Sequence, residues 1–282
     1  MIDKDQLIKQ LIDIAIAEDI GDGDHTSLST IPEKEQGRAK LIIKQDGILA
    51  GVDVALKVFN AVDPNLKVDL MLNNGAKVKK GDIAFTVSGR VISILQAERL
   101  VLNFMQRLSG VATQTNIYAQ RIADLHTKVL DTRKTTPGMR LLEKEAVKIG
   151  GGVNHRIGLF DMILIKDNHV DFAGGIENAI NAAKKYCVEK GKNLDIEIET
   201  RNLDEIRKVL ALGGVRRIML DNFDIPTTKQ AVELIAGRFE TESSGGITLE
   251  NLRDYALTGV DYISVGALTH QIKSLDMSLK AF

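Results

Sequence analysis

From residue 128 onward, short apolar runs alternate with helical segments, and this alternation limits the possible folds more than any other feature of the chain. The runs are KVLDT, DMILIKDNH, LDIEIET, RRIMLDN, GRFETESSGG and DYISVGALTH. Between them lie helical stretches such as AGGIENAINAAKKYCVEKG, NLDEIRKVLALGG, TTKQAVELIAG and TLENLRDYALTGV. Strands joined through helices run parallel, with right-handed crossovers. The runs are fewer than a closed barrel needs. The expected fold class is therefore α/β: an open, incomplete α/β barrel, with a doubly wound sheet as the alternative.

Residues 1–110 have a different texture. An amphipathic helix in MIDKDQLIKQLIDIAIAEDIGDGD is followed by RAKLIIKQDGILAG, read as a strand pair. Turn signals fall at Asn74-Gly75 and Lys80-Gly81. The hairpin GAKVKKGDIAFTVSG resembles part of a biotin- or lipoate-carrying module, but without the attachment lysine in its usual turn it reads as scaffold. The long helical stretch QAERLVLNFMQRLSGVATQTNIYAQRIADLH is expected to break near Ser109-Gly110. It leads into a second domain over 111–270.

Composition excludes several functions. Lys plus Arg number 37 against 38 Asp plus Glu, and with no Trp and four Tyr there is neither a basic field nor a set of stacking rings for nucleic acid. The single cysteine, Cys187, excludes an intramolecular disulfide and a cysteine-cluster metal site, which suits a reducing cytoplasm. Acids are mixed into the apolar N-terminal stretch, so it reads as neither signal peptide nor membrane span. A soluble cytoplasmic protein is expected.

Against this near-neutral background, DTRKTTPGMR places Arg133, Lys134 and Arg140 on one strand-to-helix loop. The other runs also end in polar or glycine residues: Lys166 to His169, Glu199, Asp221 and Asn222, Ser243 to Gly246, and Gly266. Parallel α/β folds gather such ends on one face. Arg133, Lys134, Arg140, His155, Arg156 and Lys166 call for a ligand with several negative charges. Glu199 and Asp221 leave buried strands and call for a divalent cation or a lysine partner, with Glu197 on the same strand face as Glu199. A structural ion-pair network is the competing reading of the same residues.

ESSGGITLENLRDYA and SVGALTH are glycine turns opening helices on successive strands, where backbone N–H groups suit phosphate, and His270 lies in the second. GGGVNHR reads either as linker or as a loop that closes over ligand. In EDIGDGDHTS the acids are too tightly spaced for a calcium hand, and Asp24 with Thr26 or Ser27 is expected to form turns and helix caps.

EDIGDGDHTS, AERLVLNFMQRLSGVAT, DTRKTTPGMRLLEKEAVKIGGGVNHRIGLFDMILIKDNH, IEIET, IMLDN, ESSGGI and ISVGALTH together resemble the quinolinate phosphoribosyltransferase family, nearly end to end. The resemblance implies an N-terminal α/β sandwich domain that also takes up the tail 271–282, packed on the open barrel. It implies Mg²⁺ and two substrates, quinolinate and 5-phosphoribosyl 1-pyrophosphate, which yield nicotinate mononucleotide, pyrophosphate and CO2. Arg99 from a partner subunit, with Arg133, His155, Arg156 and Lys166, would surround quinolinate. Lys134, Glu199, Asp221, Ser244, Gly245, Gly266 and His270 would hold the donor, Glu199 and Asp221 also handling the metal. Lys134, Lys166, Glu199 and Asp221 would be the catalytic set. A homodimer with shared sites is implied, with a hexamer as the larger option. Three rival readings remain open: a Schiff-base lysine at Lys134 or Lys166 in an aldolase-like barrel, a phosphometabolite-binding regulator, and a related transferase for another aromatic acid.

Overall fold

The computed structural model of the chain describes residues 3–282. Its first elements are α1 (Lys4–Ile20), α2 (His25–Thr30), β1 (Gln36–Ile43), β2 (Gly47–Ile48), α3 (Val52–Val62), β3 (Lys67–Leu70), β4 (Lys77–Val78), β5 (Ile83–Arg90) and α4 (Val91–Arg121). Then come β6 (Lys128–Leu130), α5 (Arg140–Ile149), β7 (Ile163–Ile165), α6 (Asp167–Ala173), α7 (Ile176–Glu189), β8 (Ile196–Thr200) and α8 (Leu203–Leu212). The chain ends with β9 (Arg217–Asp221), α9 (Ile225–Ile235), β10 (Glu240–Ser244), α10 (Leu252–Ala256), β11 (Tyr262–Ser264), α11 (Ala267–His270) and β12 (Met277–Ala281). Each of the six apolar runs is a strand. Two compact units result, one holding residues up to Asn116, Thr135–Gly151 and Leu268–Phe282, the other Ile117–Lys134 and Gly152–Ala267.

The first unit is built on an antiparallel sheet of order β12-β1-β5-β3. Alternation decides its inner face: Ala39, Leu41 and Ile43 of β1 are buried while Arg38 is exposed, the period-two pattern of a strand with one covered side. α3 lays Val54, Ala55, Val58 and Phe59 on that core, with Phe59 and Phe85 edge to face at 5.7 Å. The C-terminal strand closes the other side, Met277 opposite Ile43 and Ala281 opposite Ala39. Asp24 caps α2 by accepting from the Ser27 N–H at 3.1 Å, the role expected of it.

Local expectations on strand pairing and on the long helix are corrected here. β2 pairs with β4 and not with β1, and β5 pairs with β1 and β3, so neither expected hairpin forms. The reason is a long-range contact: the Ile48 N–H donates to Thr113 Oγ1 at 2.9 Å, and a Cβ at Gly47 would meet Thr113 and Leu275. α4 is unbroken across Ser109-Gly110. Ser109 Oγ donates to Ala50 O and accepts from Ala50 N–H, while Gly110 leaves space filled by the Lys273 carbonyl, so both residues serve packing between segments. By its contacts α5 groups with this unit. Its buried Glu143 pairs with Arg107 of α4 at 2.8 Å, which draws the helix there.

The second unit is a six-stranded parallel sheet of order β6-β11-β10-β9-β8-β7. That is barrel order with the ladder between its first two strands absent. Near the seam, Val153 forms a single parallel bridge with Leu130 and bonds to Val129 O at 2.8 Å. Residues 196–200 are all buried, as expected of a parallel strand covered on both faces. The glycines before His155 are not a slack linker. Gly150 caps α5 and has no room for a Cβ beside Ala112, and Gly151 takes φ 94°. Among the described residues no helix is long and apolar enough to cross a membrane.

Candidate active site

Parallel register brings the C-terminal ends of the second unit's strands to one edge. Glu199 lies opposite Met219, and Asp221 opposite Ser244. Lys166, just past β7, sits at the N-cap of α6, where its backbone N–H donates to His169 Nδ1 at 2.9 Å. Lys166 Nζ reaches Glu199 Oε2 at 3.3 Å. Burial pushes the Glu199 carboxyl up, Lys166 resists, and the charge of Asp221 pushes further. Two carboxylates near enough to repel, one of them in a buried strand, form a hard-oxygen set that fits a divalent cation.

Asn222 adopts φ 55°, a left-handed backbone that few residues other than glycine accept. Its Nδ2 donates to Asp221 Oδ2 at 2.6 Å, and its N–H donates to Ser244 O at 2.8 Å. A Cβ at Gly245 would collide with Asn222 Oδ1, and Gly245 itself has φ 94°. The Asp221 carboxylate and the glycine turn are thus braced by one residue. Gly246, at φ 61°, has open space around it.

Arg133, Arg156 and His155 form a second group. The Arg156 guanidinium is buried, and burial followed by the charge of Arg133 holds it below its ordinary value. Arg156 Nη1 donates to Met162 O at 3.4 Å. Two guanidinium groups near enough to repel make a binding position for an anion with more than one charge. The preceding residue points elsewhere: His155 Nε2 lies 3.0 Å from Glu197 Oε2 and 3.4 Å from Glu242 Oε2, with its ring almost fully buried. Glu242 also accepts from Arg217 Nη1 at 3.0 Å, and the Arg217 guanidinium stacks 4.1 Å over Tyr262. Burial opposes charging of the ring, but Glu197 and Glu242 outweigh it and push His155 up to about 9. Burial and the neighbouring Glu242 push Glu197 up to about 7. His155, Glu197 and Glu242 are the ligand types of a metal site, yet Arg217 already supplies the cation there.

The remaining expected residues are accounted for individually. Lys134 follows Arg133, its N–H donating to Thr132 Oγ1 at 3.0 Å. Ser244 ends β10, and Gly266 follows β11. Arg99 on α4, Arg140 at the start of α5 and His270 on α11 belong to the first unit. Arg140 Nε donates to Thr135 Oγ1 at 3.0 Å. Sequence reasoning passed over Asp161 and Glu242, and marked Asp131 and Asn222 only as polar strand ends with no role assigned. Asp131 is fully buried and accepts the His155 N–H at 2.8 Å; Asp161 accepts from Ile157 and Gly158, each at 2.8 Å. Asp131 and Asn222 had a signal available, their places at strand ends; Asp161 acts through backbone contacts, and Glu242 through long-range side-chain pairs, that no spacing rule encodes.

An open parallel barrel whose strand ends carry paired guanidinium groups, a lysine, two carboxylates and a glycine turn defines an α/β-barrel enzyme for small polyanionic substrates. The C-terminal and N-terminal domain models of quinolinate phosphoribosyl transferase match residues 111–280 and 24–109. The nicotinate-nucleotide pyrophosphorylase [carboxylating] of Arabidopsis thaliana is 48% identical over 97% of this chain and 82% of its own length. A probable enzyme of the same name from Bacillus subtilis is 42% identical, covering 96% and 92%. The solved nicotinate-nucleotide pyrophosphorylase of Francisella tularensis superposes with a TM-score of 0.93 at 42% identity, over 98% of this chain and 96% of that one. The chain belongs to the quinolinate phosphoribosyltransferase family.

Proposed function

We propose that the protein transfers the phosphoribosyl group of 5-phosphoribosyl 1-pyrophosphate to quinolinate with decarboxylation, giving nicotinate mononucleotide, pyrophosphate and CO2 for de novo NAD synthesis. The observation that carries this reading is the pairing of Arg133 with a buried Arg156 whose charge its neighbour opposes. Such a pair favours a ligand with two carboxylates over one with a single carboxylate. Lys166, just past β7, would meet the same ring and oppose the upward push of burial on Glu199.

Pyridine nitrogen attacks the anomeric carbon, the new N–C bond forms, and the C–O bond to pyrophosphate breaks. Positive charge develops on the ribose, where Glu199 and Asp221 favour it, and negative charge on the leaving group, where Lys134 and His270 favour it. Ser244, Gly245 and Gly266 would receive the 5-phosphate on backbone N–H groups. The ring nitrogen is then cationic. Loss of CO2 leaves an electron pair on the adjacent carbon that this charge stabilises and a proton later quenches. Glu199 and Asp221 are the residues that would hold Mg²⁺, which when bound neutralises pyrophosphate charge. Positioning supplies much of the rate, because no protein nucleophile is required.

The active form is a homodimer in which Arg99 completes the partner's quinolinate pocket. A coupled assay decides the substrate: pyrophosphate release should require quinolinate, with nicotinate inactive. Turnover of nicotinate at a comparable rate would assign the protein to a related transferase. An adduct trapped by borohydride at Lys134 or Lys166 would move it to Schiff-base chemistry.

A further inference from the structure

We propose that Glu197 and Glu242, buried in the barrel and remote from the strand-end carboxylates in their contacts, are positioning residues that set the affinity for the dicarboxylate ring by gripping His155 and through it Arg156. The inference rests on the reading of Arg156 as a carboxylate-binding residue.

Three observations support it. Both side chains are fully inaccessible, and neither Glu197 oxygen has a hydrogen bond of good geometry, so its contacts are ionic. Removing either carboxylate leaves the charge of His155 and Arg217 less compensated in the interior, so the pair acts chiefly on those neighbours.

His155 enters at the open seam of the barrel. With no β6–β7 ladder, residues 153–156 are held by one bridge at Leu130↔Val153 and by Asp131 accepting the His155 N–H. The ring then inserts toward β8 and β10, between two carboxylates at 3.0 and 3.4 Å. Arg217, between those strands, fixes the carboxylates in turn, at 3.7 Å from Glu197 and 3.0 Å from Glu242.

The linkage to Arg156 is direct. Arg156 is the next residue along the chain, so a ring held between two carboxylates, with the His155 N–H on Asp131, fixes the backbone from which the guanidinium projects. Arg133 repels that guanidinium, so a slack anchor would let Arg156 swing away and dissolve the paired anion position.

The test compares Glu197→Gln with the unaltered protein, with Glu242→Gln as the second variant should the first be poorly folded. The expected result is a rise on the order of tenfold in KM for quinolinate, with KM for the phosphoribosyl donor within about twofold, alongside a lower melting temperature from the lost buried ion pair. A drop in melting temperature with quinolinate KM unchanged would show a purely structural pair and overturn the proposal. Calorimetric titration of quinolinate into Arg156→Ala separates the two layers. If that variant binds quinolinate normally, the reading of Arg156 fails. If it loses binding while both glutamine variants retain it, the positioning proposal fails alone.

Discussion

Lys166 Nζ stands 3.3 Å from Glu199 Oε2, joining the end of one barrel strand to the end of the next. The lysine is half exposed and the carboxylate buried, so the cation is accessible while its charge opposes the upward push of burial on its partner. Lys166→Met should therefore damage two groups at once. The expected loss is on the order of 10²-fold in kcat/KM for quinolinate, read in a steady-state assay of pyrophosphate release. Retention of near-normal kcat/KM would remove Lys166 from the machinery.

Gly245→Ala meets both a left-handed backbone and the Asn222 side chain. Strain of this kind costs about 1–3 kcal/mol, so a lowered melting temperature and a raised KM for the phosphoribosyl donor are expected together. Gly246→Ala is the matched control. It has a similar φ but open space, so activity should survive with only a modest stability loss of about 1–2 kcal/mol.

Sharing of sites between subunits predicts complementation. Arg99→Ala and Arg133→Ala should each be inactive as purified, folded proteins. Mixed under conditions of subunit exchange, they form hybrids with one intact site in which neither substitution is present, and part of the activity returns. Mixtures that stay inactive after verified exchange count against a partner-supplied Arg99.

Stability should depend on pH through His155. Its folded value is raised to about 9 from an ordinary 6.5, so its contribution is fully present below about 6.5 and is lost as pH rises through about 9. Charging the ring adds a proton at Nδ1 and forfeits the Arg156 N–H bond, worth about 1 kcal/mol, which two carboxylates at this range exceed. Denaturant unfolding of the unaltered protein should show stability falling between pH 6.5 and 9 more steeply than that of His155→Gln. Parallel curves would mean that the ring is neutral throughout.

The sequence by itself determined a parallel α/β sheet, with the open barrel and the doubly wound order both compatible with six apolar runs spaced by helices, and it marked Arg133, Lys166, Glu199 and Asp221 by their positions at strand ends. Those positions are local: polarity at the end of an apolar run can be read without knowing the neighbours. Only the tertiary structure decided that α5 joins the first unit through Glu143 and Arg107, that α4 passes unbroken through Ser109-Gly110, and that β2 leaves β1 for β4. It also turned His155 toward Glu197 and Glu242 and put Asn222 between Asp221 and Gly245. The physical reason is the same in each case. Ion pairing, close glycine contacts and buried-charge compensation act between residues distant in sequence, and their energies exceed the weak local preferences that a linear reading can detect.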